Sequence, residues 1–443
     1  MKIHTSFLHT KKLRTLHFEL KYIIIFEIVF VLFERLFIQR GMPGAIIYIL
    51  DLVNAALLLI TIHSRNWKRF SGLTLSYIML AVMSSFIAIV NYAEWNGNPI
   101  YTIIELRNIL RFLIFFIACV TILDRESCKM IYKILLLFFF TNAVVIIYQY
   151  LTYHPEGVWT RGDYLNGIFG LWVGGNTFVN VTLVVAIAYL LSGWSDEVIS
   201  TKLFLSGVLI SLVIAALIEL KAFFVEFFMI YAWYFVKKKK SRRELRLNAV
   251  ILLCAVLVSY IGLQIMYREY PWFRNVMSLS GMLASLTGKG YTGSGDLNRF
   301  TGIFTIAQNM FEGDILSSLF GIGAGNASAF SIKGNITRFF ELYRDSHYNW
   351  FSGTFTFVQS GAVGLLLYLF TFFYLLWKRK EESEFKLSSQ MICIMALFLI
   401  FYGEALKTDA GYLVYFAIAA GFVPNSDGHT RCKLKQSGHR LSV

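Results

Sequence analysis

The sequence predicts an all-α, polytopic transmembrane bundle of about twelve spans with one large, partly helical extracytoplasmic loop. Three observations predict it. Hydrophobic residues make up 57% of the chain and charged ones only 15%. The apolar residues fall in runs of bilayer length. Lys and Arg collect in the short segments between those runs. One soluble core could not hide this much apolar surface. With five prolines in 443 residues, long helices are rarely interrupted.

Taken in order, spans are expected at roughly 22–38, 43–62, 71–92, 101–122, 131–152, 171–192, 203–218, 220–236, 247–267, 351–376, 389–406 and 409–423, each near the ~20 residues a bilayer requires. The division this implies is a bundle of about nine spans over 1–267, an outer loop over 268–350, and C-terminal spans with a basic tail over 351–443. The N-terminal arm carries Lys2, Lys11, Lys12, Arg14 and Lys21, and runs into the first span with no small-residue cleavage site, so no cleaved leader is expected. Arg65, Lys68 and Arg69 form the next basic loop. The run Lys237 to Arg246 is the densest, followed by Lys378, Arg379 and Lys380, then Arg431, Lys433, Lys435 and Arg440. With twelve spans all these clusters share one side, which places both termini on the cytoplasmic side of an inner membrane. Position therefore explains the net charge of +14, and a nucleic-acid partner is not needed.

The opposite side carries Ala93–Ile100, Tyr153–Gly170, a tight turn at Glu219–Lys221 and the segment Arg268–Trp350. That last segment is too long for a connector. Within it, Leu297–Phe311 reads as an amphipathic helix, with Phe300, Ile303, Phe304, Ala307 and Phe311 at helical spacing. Such a helix would roof the bundle at the membrane surface.

Several chemistries are excluded on motif grounds. Cys119, Cys128, Cys254, Cys393 and Cys432 fall in spans or inner segments without metal spacing, so neither a disulfide nor a metal–thiolate site is expected. Gly321-Ile-Gly-Ala-Gly325 lacks the strand that a dinucleotide loop needs and reads as a turn. Gly281 to Lys289 has the wrong spacing for a phosphate loop, and no Asp-x-Asp pair exists for a metal-bound sugar nucleotide. No cofactor and no metal are expected.

Ionisable residues inside spans are Glu27, Glu34, Asp51, Glu105, Arg107, Arg111, Lys133 and Glu226. Each costs about 2.5–3.5 kcal/mol at mid-membrane, so each should face protein or water. Arg107 and Arg111 lie one turn apart on one face. They fit either a structural ion pair or a contact to lipid phosphate. Lys221 stands beside Glu219 at an outer junction, where it could snorkel to the interface. Arg161 lies in the loop Thr160-Arg-Gly-Asp-Tyr-Leu-Asn-Gly-Ile-Phe-Gly170, close to the bundle mouth. His347, with His154, is one of two histidines placed outside. It precedes a span, and a helix N-terminus would keep its imidazole neutral and able to accept a proton.

The order of these parts resembles the O-antigen polymerase and O-antigen ligase superfamily of bacterial envelope glycan assembly. The resemblance rests on Arg161–Gly170, on Glu219-Leu-Lys221-Ala-Phe, on Asn298-Arg299 followed by Leu319–Asn326, and on His347-Tyr-Asn349 followed by Gly361-Ala-Val-Gly364. It covers roughly 100–376. Lys221 stands where that family more often has arginine, and Tyr348 separates His347 from Asn349. The resemblance implies metal-independent glycosyl transfer from a polyprenyl-pyrophosphate-linked glycan to an acceptor sugar on a lipid-linked repeat unit, as in an O-antigen or capsule polymerase. Arg161, Lys221 and Arg299 would stabilise the leaving group, because arginine forks suit phosphate oxygens. Arg107 and Arg111 would contact lipid phosphate. His347 would be the general base with Glu219 in reserve, and the anomeric configuration would invert. Membrane lipids, a chain-length regulator and a flippase are the partners this implies. A ligase differs only in acceptor. A flippase for the same lipid-linked unit, or a structural scaffold for envelope assembly, are the readings from other classes.

Overall fold

A computed structural model describes residues 3–154, 161–238, 242–269, 280–281, 283–284, 288–293, 295–329 and 336–423. The C-terminal basic tail, Cys432, Arg274, Lys333 and the stretch 239–241 lie outside the described residues. Among those described, twelve helices reach ten residues or more: α1 Ile3–Gln39, α2 Ile49–Thr61, α3 Ser71–Val90, α4 Pro99–Ile122, α5 Arg125–Thr152, α6 Asn176–Ser195, α7 Thr201–Leu217, α8 Lys221–Lys237, α9 Arg242–Glu269, α10 Ser352–Trp377, α11 Lys386–Tyr402 and α12 Gly411–Ala420. The described residues are all-helical, and six segments among them are long and apolar enough to cross a membrane: Gly44–Thr61, α3, α5, α6, Glu244–Ile265 within α9, and α10.

Local sequence sets where helices begin. Asn98 caps α4 by accepting from Ile100 N–H at 2.8 Å, with Pro99 in the first turn, where no N–H is missed. Asp124 accepts from Ser127 N–H at 2.7 Å and caps α5; Ser200 caps α7.

Helix α12 is wholly buried and packs on α4, α6 and α11. Its Tyr412 and Tyr415 meet Phe112 of α4, edge-on and stacked respectively, with centroids 5.1 Å apart in both pairs. The periphery is apolar and exposed. Leu52 and Leu59 of α2, Val82 and Phe86 of α3, and Leu253 of α9 all face outward. Water would penalise that surface, whereas lipid does not.

Several polar groups within the bundle find partners across helices. Asn54 donates to Glu27 at 3.1 Å and to Tyr412 Oη at 2.6 Å. Asn180 donates to Glu226 at 3.0 Å, and Ser328 to Glu105 at 2.8 Å. Lys133 departs from the expectation, since it is exposed on the outer surface of α5 two turns from its start. At that height its long stem can carry the ammonium toward the interface.

The basic loops meet at one end of the bundle. Arg69 pairs with Glu381 at 2.8 Å, Arg125 with Glu384 at 3.2 Å, and Lys238 with Asp196. At the other end, the Gly321–Gly325 segment wedges between helices as a turn. Gly361 takes a φ of 62° inside α10 and breaks its ladder there. The freed carbonyls of Val358 and Gln359 accept from Ile322 and Gly323 N–H at 2.9 and 3.0 Å. A side chain at Gly361 would place Cβ 2.2 Å from the Leu319 carbonyl carbon, so only glycine fits.

The segment 297–311 is not one amphipathic helix. Thr301 closes a turn, Gly302–Thr305 makes a short helical turn, and Ile306–Met310 widens so that Phe311 N–H donates to Ile306 O, five residues back, at 2.9 Å. The widening rotates the face. Ile306, Met310 and Phe311 are buried while Phe304 is exposed. Phe300 instead stacks on Phe401 of α11 at 5.6 Å. The period seen in the sequence is real, but tertiary contacts override its phase.

Candidate functional site

The end of the bundle opposite the basic loops holds a cleft of about 540 Å³. Five parts of the chain build its wall: the loop before α6 with the start of that helix, the α7–α8 turn, Arg299, the residues Trp350 and Phe351 before α10, and the end of α11 with the α11–α12 connection.

The α7–α8 turn is held by its backbone. Leu220 N–H donates back to Ala215 O at 2.8 Å, and Glu219 takes a left-handed φ of 57°. The chain thereby reverses and starts α8 at Lys221, so Glu219 and Lys221 both line the cleft. Glu219 Oε1 accepts from Gly162 N–H at 3.2 Å. A Cβ at Gly162 would lie 2.6 Å from Glu219 Cγ, which explains the glycine after Arg161. Asp163, next in that loop, lines the cleft and accepts from Asn176 at 3.2 Å.

Arg299 reaches the cleft from the outer loop. Its Nη1 donates to Tyr402 O at 2.6 Å, and its guanidinium lies 4.1 and 4.9 Å from the Tyr402 and Phe351 ring centroids. No carboxylate lies within ion-pair distance of it among the described residues. Two rings and a carbonyl hold it, yet its charge is not neutralised, so it stays available to an anion. Glu404 lines the same wall and is 3.7 Å from Lys407. Burial pushes the Lys407 ammonium down, and Glu404 opposes that shift.

His347 stands at the rim. It does not precede a helix directly, as the sequence suggested, but takes a left-handed φ of 54° between two short turns. Its ring stacks on Trp350 at 3.7 Å, and Trp350 lines the cleft. Its Nδ1 is bonded to Asp296. The neighbour that governs this imidazole is therefore a carboxylate rather than a helix dipole. A carboxylate accepts, so Nδ1 carries a proton, and in the neutral imidazole the lone pair is then on Nε2.

The structure thus gathers Glu219, Lys221 and Arg299 on one cleft, with His347 one ring behind its rim. Arg161 is not on the wall. Its guanidinium lies 4.5 Å from the Tyr150 ring centroid, and its loop touches the site through Gly162 and Asp163. Arg107 and Arg111 are elsewhere. Arg107 pairs with Asp51 at 2.5 Å. Arg111 is buried, pairs with Asp409 at 2.5 Å and donates to Lys407 O at 2.6 Å. Each has a carboxylate partner within the protein, as a structural ion pair requires. Asp163, Asp296 and Glu404 were not singled out in the sequence. Asp296 and Glu404 carry no local pattern. Asp163 sat inside the quoted Arg161–Gly170 stretch, and its place next to a required glycine was the available signal.

Among the described residues no group of three His, Cys, Asp or Glu side chains is placed to hold a metal ion. The four described cysteines are unpaired. The fold and cleft are those of a helical membrane protein with a polar, charged pocket at one end. No known protein family, no curated protein and no solved structure matches the chain.

Proposed function

We propose that the protein is a glycosyltransferase of the bacterial inner membrane that polymerises a lipid-linked polysaccharide repeat. In this reading the chain crosses the membrane twelve times, which would put both termini in the cytoplasm and the cleft on the extracytoplasmic face. The observation that carries the reading is Arg299, a cation without a carboxylate partner among the described residues, sharing one cleft with Lys221 and Glu219. The resemblance to O-antigen polymerases and ligases supplies the substrate class, a glycan on polyprenyl pyrophosphate.

In this reading the acceptor hydroxyl attacks the anomeric carbon of the donor. The bond from that carbon to the pyrophosphate oxygen breaks and its electron pair leaves with the pyrophosphate. Arg299 and Lys221 offset the charge that develops there. The hydroxyl proton passes to a base, and the anomeric centre inverts. Two bases are placed for this. Glu219 lines the cleft, and His347 stands behind Trp350 with Nε2 free of Asp296. The pH–rate profiles of Glu219→Gln and His347→Gln separate them, because only loss of the true base removes the acidic limb, where activity falls as that base takes up a proton.

The test of class is the glycan banding pattern of a strain lacking the gene, complemented with Arg299→Ala and with the intact protein. A polymerase predicts single repeat units on the acceptor, restored to a ladder only by the intact protein. No units on the acceptor would mean a ligase. Repeats trapped on the cytoplasmic leaflet would mean a flippase. An unchanged ladder would remove the enzymatic reading.

A further inference from the structure

The other end of the bundle has a second cavity, of about 160 Å³, between the ends of α8 and α10 and the start of α11. Lys237, Lys378, Arg379, Lys380 and Lys386 line it against one carboxylate, Glu382. Lys386 takes up that carboxylate at 2.5 Å. The other four cations have no carboxylate within ion-pair distance among the described residues. Lys237 rests 4.6 Å from the Trp233 ring, and Lys378 5.2 Å from that of Tyr374.

Lys380 is the unusual one. It is only 5% exposed, and its ammonium has the carbonyls of Leu375 and Leu376, at 2.5 and 3.4 Å, and the Phe422 ring at 4.6 Å. A buried ammonium carries three protons and a full charge, and two carbonyls do not neutralise it. Burial pushes this ammonium down. Four like charges around one cavity repel each other, and an anion in the cavity relieves all four at once.

We infer that this cavity seats the phosphate of an anionic membrane phospholipid. The cations set the charge of the ligand. The rim sets its source. Trp377 is 74% exposed at the end of α10, and Trp233 stands beside it on the wall. Indole rings at the end of an apolar helix sit at headgroup level, where a glycerophosphate is presented and free phosphate is not. The inference does not depend on the glycosyltransferase reading, because the two cavities lie at opposite ends of α8 and α11.

The test uses the full-length purified protein in neutral detergent, with lipid binding read by native mass spectrometry. Phosphatidylglycerol is compared with phosphatidylcholine, and inorganic phosphate serves as competitor. The intact protein is expected to prefer phosphatidylglycerol. Arg379→Glu, at an exposed position, should weaken that binding roughly tenfold, since each cation near an anionic lipid contributes on the order of 1 kcal/mol. Trp377→Ala should weaken the lipid and leave inorganic phosphate unaffected. Lys202→Glu, an exposed cation at the same end but off the cavity wall, should change neither. Equal binding of the two lipids, or an unchanged Arg379→Glu, overturns the site. Equal loss in Lys202→Glu shows a diffuse surface field instead and overturns it too. Displacement of the lipid by millimolar phosphate, with Trp377→Ala without effect, overturns the lipid as occupant.

Discussion

Replacing Asp409 by leucine strands the Arg111 guanidinium inside the bundle. The side chains of Arg111 and Asp409 are 5% and 9% exposed, so water cannot replace the lost partner. The charge-assisted bond at 2.5 Å is worth about 1.5–3 kcal/mol by itself, and the stranded charge raises the total to about 3–5 kcal/mol. The remaining bond to Lys407 O at 2.6 Å and the Phe112 ring at 4.6 Å keep the loss toward the lower end. Arg111→Met should cost a similar amount, because it strands Asp409. The double variant removes both charges and fills their space with apolar atoms. It should return to within about 1 kcal/mol of the parent, giving a coupling of at least about 2 kcal/mol. The assay is unfolding in mixed detergent micelles, followed by tryptophan fluorescence, with all four proteins compared at equal slope. A double variant as unstable as the sum of the singles would refute the pairing. It would return Arg111 to the residues that could serve a lipid phosphate.

Gly361→Ala should destabilise the protein by about 3 kcal/mol, combining left-handed strain with overpacking where Cβ meets the Leu319 backbone at 2.2 Å. Gly313→Ala, also at positive φ but with nothing within 4 Å, should cost only about 1 kcal/mol on the same unfolding assay. If His347 is the base, Asp296→Asn should lower chain extension about a hundredfold or more while protein level holds, because an amide can donate to Nδ1 and move the proton to Nε2. Unchanged extension would take His347 out of the mechanism. Arg299→Lys keeps the charge but not the planar fork between Phe351 and Tyr402. It should cost about tenfold in the specificity constant for the lipid-linked donor, read in a membrane-vesicle polymerisation assay.

Helices could be placed from the sequence because apolar runs of bilayer length admit little else. Each expected range holds a helix, though six segments meet the length and hydropathy that crossing requires. The α7–α8 pair, poorly separated in hydropathy, is divided by the left-handed Glu219, a backbone feature that a non-glycine residue hides. The site was legible in part. Glu219 and Lys221 are near neighbours in the chain, and Arg299 was named through the Asn298-Arg299 pair that carries part of the resemblance. What sequence could not supply was the partner of each charge. Arg107 and Asp51 are separated by 56 residues, Arg111 and Asp409 by 298, and His347 and Asp296 by 51. Whether a buried arginine is bound by protein or free for ligand depends on such distant partners, and no local pattern carries them. The phase of 297–311 was misread for a related reason. One extra residue in the turn at Ile306–Met310 rotates the apolar face, and periodicity alone assumes that the turn stays regular.

The most direct test of the central claim is the affinity of the purified protein for undecaprenyl pyrophosphate, measured for the parent, Arg299→Gln and Lys221→Gln. If the cleft holds a pyrophosphate, the parent binds and each variant binds at least about tenfold more weakly, since a charge-assisted bond is worth about 1.5–3 kcal/mol. Equal affinity in all three, or no binding by the parent, would contradict it.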